Sequence, residues 1–209
     1  MRLSQRIIEK LNISGKISQS YYGEDIMLWR YFKNKDIRNG FFIDVGAYHP
    51  KFANNTWRLR KQLGFTGINF EPTDNIKLFR KYRKNDINIQ ELVGDKFGPA
   101  LLNYVSKEPM VSGKSVSKLV LKPDKELLVY QTTLTLIVKQ FSVKKIDLLD
   151  IDIEGTEMEV LRGYDWSVRP RLILIEDDKD TEKRIHPFLT ALGYKQIAHT
   201  LNNALYEYN

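Results

Sequence analysis

The chain reads as an α/β domain, a mostly parallel sheet with helices on both faces that ends in an antiparallel hairpin, and three observations predict it. Short apolar runs rich in β-favouring residues, at 41–45, 66–70, 87–92 and 172–175, alternate with stretches of helical periodicity, the order that builds a parallel sheet through crossover helices. Two strand-like runs, 40–50 and 145–155, lead through acidic residues to Gly46 and Gly155. Near the end, β-like runs at 194–200 and 204–208 flank Asn202 and Asn203, turn-forming residues that suit a hairpin.

Residues 1–17 form the first element. Leu3, Ile7, Ile8 and Leu11 make one apolar helical face, with Arg2, Arg6 and Lys10 on the others. This amphipathic helix would dock on its own domain or on a sister subunit of a homodimer, with peripheral membrane contact as the alternative. The main domain spans 18–209. Gly23, Glu24 and Asp25 suit a helix start, and Ile26, Leu28, Trp29 and Phe32 supply its apolar face. The segment before that helix is placed to close over the turn after Val45. A helix is expected over 54–63, stopped by Gly64. Another, over 75–84 and capped by Asp74, turns Leu78 and Tyr82 inward and leaves Lys77, Arg80, Lys81, Arg83 and Lys84 as a solvated basic face. Residues 96–128 have weak periodicity around a strand at 101–105, and a substrate lid is expected in so long an irregular insertion. A β-like run at 129–134 and helices at 136–141, 156–164 and 182–192 follow, the last with Pro187 as a kink or late start.

The run 40–50 organises the rest. Phe41, Phe42, Ile43 and Val45 make a buried strand, and Gly46 and Ala47 turn the chain at its end, where small residues let backbone N–H groups approach a ligand. Asp44 lies beside that turn as an acceptor. Glu71 ends the next strand 27 residues after Asp44. In nucleoside-binding folds an acid about 20 or more residues on meets the ribose. A full G-x-G-x-x-G is absent, with Pro50 where a further glycine would stand, so an ordinary βαβ turn accounts for the same residues. Asp95, after Val93 and Gly94, is either an adenine acceptor or a plain surface acid. In 145–155 the acids Asp150, Asp152 and Glu154 alternate, so an extended strand puts them on one face. Buried carboxylates are costly unless paired or bound, and the carboxyl edge is where open α/β sheets hold ligands.

Composition narrows the classes. The 209 residues, 42% hydrophobic, suffice for one domain with a substantial core. With no cysteine, disulfides and thiolate metal sites are excluded and a reducing cytoplasm is expected; with three histidines, a histidine-rich centre is not expected. No segment approaches the roughly 18 apolar residues of a membrane span, and residues 1–15 lack the apolar core of a secretion signal. The net charge of +7 raises the prospect of an anionic partner.

Four pieces together resemble the FkbM family of methyltransferases: Ser18-Gln19 with Gly23-Glu24-Asp25; Phe42-Ile43-Asp44-Val45-Gly46-Ala47-Tyr48-His49-Pro50; Gly67-Ile68-Asn69-Phe70-Glu71-Pro72; and Asp147-Leu148-Leu149 with Ile151-Asp152-Ile153-Glu154-Gly155, followed by Glu157, Val160-Leu161 and Gly163. The last is the most specific. Ala-Tyr-His-Pro replaces the Ala-Asn-x-Gly of many members. The resemblance implies a Rossmann-like class I fold with a seven-stranded sheet, S-adenosylmethionine as cofactor, and O-methylation of a hydroxyl on a sugar, glycan or secondary metabolite. Carried over by position, Asp44, Gly46, Ala47 and Tyr48 lie by the methionine portion, Glu71 with Pro72 by the ribose, Asp95 by the adenine and Asp152 by the sulfonium.

A hydroxyl acceptor benefits from a general base, and His49, Asp152 and Glu154 are the candidates, His49 because its ordinary pKa is near neutrality. The oxygen-rich set Asp150, Asp152 and Glu154 would also suit Mg²⁺. Cofactor and backbone contacts are the preferred explanation, and no metal is expected. Nucleic acid is not expected as the partner, because no Asn/Asp-Pro-Pro-Tyr motif or appended RNA-binding module is present. An RNA methyltransferase and a non-catalytic binding protein of the same fold remain the rival readings.

Overall fold

The computed structural model describes residues 18–104, 125–177 and 179–209, with backbone alone at 104 and 179–182. The expected N-terminal helix, with its membrane or subunit contact, and most of the expected lid lie outside these residues. Helix α1 (Glu24–Asn34) precedes β1 (Phe41–Val45), α2 (Trp57–Leu63), β2 (Thr66–Phe70), α3 (Ile76–Tyr82) and β3 (Ile87–Ile89). Then come β4 (Leu92–Val93), β5 (Gly98–Tyr104), β6 (Lys125–Thr132), α4 (Leu134–Gln140), β7 (Leu148–Ile151) and α5 (Glu157–Arg162). The chain continues through β8 (Leu172–Glu176), α6 (Lys179–Ala191), β9 (Tyr194–His199) and β10 (Asn203–Tyr208).

Seven strands form the main sheet in the order β3-β2-β1-β7-β8-β10-β9. The first five are mutually parallel and β10 is antiparallel to both β8 and β9, so the Rossmann-like sheet and its closing hairpin are as expected. β1 is the middle one of the five parallel strands, and Phe42, Ile43 and Val45 make it apolar on both faces, the pattern of a parallel strand covered on each side. Phe42, Leu148, Leu172 and Leu174 pack on one face against Leu28 and Phe32 of α1 and Leu59 and Leu63 of α2. Ile43, Val45, Leu149, Ile151 and Ile173 pack on the other against α4, α5 and α6 through residues such as Ile137, Leu161 and Leu189.

Three local expectations are corrected. The stretch 96–128 is not an irregular insertion throughout: β5 pairs with β6 over seven residues, and β4 joins them in a separate three-stranded sheet. Its outer face carries Leu101, Leu128 and Tyr130 in the open, so the pattern lacks the usual polar alternation. The acids of 145–155 do not share one strand. β7 stops at Ile151, and Glu154 takes a left-handed backbone (φ 59) in the turn beyond it. In α3 the inward residues are Ile76 and Phe79, followed by a fully buried Arg83, while Tyr82 is exposed.

Candidate active site

The carboxyl edge of the parallel strands brings the two predicted stretches together. Gly46, leaving β1, has φ +88, and a Cβ there would lie 1.9 Å from the carbonyl oxygen of Asp152. Asp152 N–H donates to the Val45 carbonyl at 3.0 Å. Glycine is therefore required for the exit of β1 to pack on the exit of β7. The expectation of amides free for a ligand is corrected: Gly46 and Ala47 N–H both donate to the Phe70 carbonyl, at 3.1 and 2.9 Å.

Other predicted residues hold this turn from behind. Asp44 is buried and accepts from Thr56 Oγ1 (2.8 Å) and Asn54 Nδ2 (3.4 Å). Burial raises its pKa against the opposing charge of Arg83. The Ala47 side chain packs with Ile76 and Phe79, and its carbonyl accepts from Asn54 Nδ2. Glu71, just past β2 and ahead of Pro72, is also buried. Its Oε1 accepts from the Thr73 amide at 2.8 Å and from the Thr73 hydroxyl, and the Tyr48 amide donates to the same carboxylate. Burial raises the Glu71 pKa and these bonds oppose it. β2 and β7 flank β1, so Glu71 and Asp152 stand on the same edge, roughly 10 Å apart by the spacing of strands.

A cavity of about 270 Å³ opens over this edge, lined by Gly46, Tyr48, Asp152, Glu154 and Glu176 on one side. Tyr21, Tyr22, Glu24, Ala53, Asn55, Asn202 and Asn203 complete it. The segment before α1 thus lies over the turn, as expected. It is fastened there by Asp25, which accepts from Ser18 Oγ (2.5 Å) and the Gln19 amide (3.0 Å) and pairs with Arg58 Nε (2.8 Å). Three non-glycine residues of the lining, Tyr48, Ala53 and Glu154, have positive φ, and such strained conformations persist where a site requires them.

Electrostatically the cavity is a carboxylate sink. Oxygens of Asp152, Glu154 and Glu176 all lie within 4.8 Å of one another. Desolvation, then the charge of Glu154, pushes Asp152 up to about 8. Desolvation and Glu157 push Glu154 up to about 7, and desolvation with the charges of Asp152 and Glu154 pushes Glu176 up to about 10. Among the described residues no lysine or arginine forms an ion pair with any of the three. Burial and mutual repulsion thus hold protons on these carboxyls, and any cation entering the cavity would compete with those protons.

Asp150 is not part of this set. It is buried within β7, opposite Asp44 in the register, and accepts from Asn55 Nδ2 at 3.3 Å. Asp95 is exposed and lines a different cavity, with Phe97, Gln131 and Glu159. Nor does His49 line the site cavity: its Nδ1 accepts from the amides of Lys51 (3.2 Å) and Phe52 (3.1 Å). Desolvation, then Lys51, lowers its pKa. A neutral His49 so held carries its proton on Nε2 and has no lone pair left for a substrate.

Sequence reasoning missed Glu176, Asn203 and Arg83. Glu176 was legible as the acid ending a strand, but its place beside Asp152 depends on β8 being the neighbour of β7. Arg83 is 0% exposed. It binds Asp86 through Nε (2.7 Å), Thr56 Oγ1 through one terminal nitrogen (3.0 Å) and Asn54 Oδ1 through the other (3.2 Å), fixing the loop that carries Ala53 and Asn55.

The fold is Rossmann-like, and a family match makes the chain a methyltransferase. The family model described as the Methyltransferase FkbM domain matches residues 44–196, and the chain belongs to that family. Comparisons with curated proteins and with solved structures gave no match.

Proposed function

We propose that the protein is an S-adenosylmethionine-dependent O-methyltransferase acting on a hydroxyl of a sugar, glycan or secondary metabolite. The observation that carries this reading is the carboxylate group Asp152, Glu154 and Glu176, without a lysine or arginine partner among the described residues, in the cavity that Gly46 also lines, a setting that favours a sulfonium. Bound there, the cofactor supplies the electrophilic methyl group and a neutral thioether leaving group. The chain's own residues would then bind and orient. Glu71, buried on the same edge outside the cavity lining, would reach vicinal ribose hydroxyls with the lone pairs that Thr73 and Tyr48 leave open, with Pro72 next to it in the chain. Gly46 and Tyr48 border the methionine portion, and Asp152 and Glu154 face the sulfonium. Tyr21 and Tyr22 line the same cavity, where their rings would help to position the acceptor. Asp152 or Glu154, each held well above the ordinary carboxylate range, is the better proton acceptor, since the His49 lone pair is engaged. Action in the cytoplasm fits a chain without cysteine.

Calorimetry tests the cofactor assignment. One S-adenosylmethionine per chain is expected, weakened about tenfold or more in Glu71→Gln as a hydrogen-bonded ionic contact is lost. No heat at near-millimolar cofactor (on the order of the weakest functional affinities), with the variant and parent alike, would sink the reading. The acceptor is found by mass spectrometry of glycans and metabolites from cells with and without the gene, looking for one added methylene unit.

A further inference from the structure

We propose that Asp152, Glu154, Glu176 and Asn203 form a binding site for a hard divalent cation of the Mg²⁺ class, which holds the acceptor hydroxyl. The inference rests on the methyl-transfer reading for its role, but not for its existence. Three carboxylates each offer an oxygen to one small volume. The independent observation is Asn203: it is 5% exposed, lines the same cavity, and its Oδ1 has no hydrogen-bond partner. Its register partner across the antiparallel β8–β10 pair is Glu176, and directly opposed residues present side chains on the same face of a sheet. The amide nitrogen is turned to Glu24 Oε1 at 3.4 Å. The carbonyl oxygen is thereby left without a partner, on the residue that stands opposite Glu176 in the strand pair. The Glu154 amide donates to the Glu176 carboxylate, and the acceptor capacity that remains in the group favours a cation among them. A sulfonium balances one carboxylate and a divalent ion two. An all-oxygen set selects Mg²⁺, Mn²⁺ or Ca²⁺ over thiophilic metals.

At such an ion an acceptor hydroxyl becomes more acidic. Its O–H bond breaks and the proton leaves to water. The oxygen keeps the electron pair with which it attacks the methyl carbon, and the carbon–sulfur bond breaks with its pair returning to sulfur.

Mn²⁺ titration of the full chain, followed by electron paramagnetic resonance and without cofactor, tests the site. One ion per chain is expected, displaced by Mg²⁺. Affinity should fall about tenfold or more in Asn203→Leu and in Glu176→Gln, and be kept or tightened in Asn203→Asp, which a merely structural role for Asn203 does not produce. Thermal melts confirm that each variant is folded. No Mn²⁺ binding near millimolar metal (the range of weak oxygen sites), or binding equal in parent, Asn203→Leu and Glu176→Gln, overturns the site. Cofactor binding that persists in chelator beside absent Mn²⁺ binding removes the metal and leaves methyl transfer standing. Mn²⁺ binding without cofactor binding does the reverse.

Discussion

Arg83 is a charged residue placed where helical periodicity calls for an apolar one, and its neighbours explain why the fold accepts it. Asp86, Thr56 and Asn54 satisfy its guanidinium, and Asp44 lies close enough to share its field. Arg83→Met should cost about 3–5 kcal/mol in urea unfolding, because Asp86 and Asp44 are then buried with their countercharge reduced. A loss under about 1 kcal/mol would place the interaction with the weak surface pairs. Gly46→Ala should cost at least about 1–3 kcal/mol from its backbone conformation alone, with more from the collision with Asp152, and should abolish cofactor binding in the folded fraction. At this scale the sequence was half readable. Gly46 announced itself by following an apolar strand, while Arg83 hid among exposed lysines and arginines whose i, i+3, i+7 relation to Ile76 and Phe79 carries no apolar signal.

Among elements, short buried strands were the most legible, since runs such as Phe41–Val45 and Leu172–Glu176 are apolar without a helical period. Helix starts were less so. The helix expected from residue 54 begins at Trp57, because Asn54 Oδ1 accepts from the Thr56 and Trp57 amides (3.2 and 2.8 Å) and so holds Asn54 in a turn ahead of the helix. Nor was the second sheet read whole, since its strands lean on one another more than on the core. α4 has a well-defined start: Thr133 is extended and its Oγ1 accepts from the Leu136 amide at 3.2 Å. Thr133→Ala should lower stability by about 1 kcal/mol, read from the urea midpoint, and Thr133→Ser should restore most of it. The cluster Asp152, Glu154 and Glu176 belongs to this scale too. Strand neighbours, not residue spacing, put Glu176 there.

For the whole molecule the acidic cavity sets a pH dependence. Asp152 and Glu154 have folded pKa values of about 8 and about 7, above those of an unfolded chain, so the folded state binds more protons between the two ranges. Their contribution is fully present below the unfolded values, near pH 4, and is lost as pH rises through the folded ones. In chelator, and without cofactor, the melting temperature should therefore decline between about pH 5 and pH 8. Glu154→Gln should flatten that slope, and an unchanged slope in the variant would assign it to other groups. No helix among the described residues is long and apolar enough to cross a membrane. The central pairing of Phe42 with Leu148 also governs how the chain reaches this state. β1 meets β2 after a short excursion, but its other edge waits for a strand about one hundred residues further along. Closing so large a loop makes collapse slow for a domain of this size. Until it closes, an apolar strand edge stands open to other chains, so refolding yield should fall as protein concentration rises.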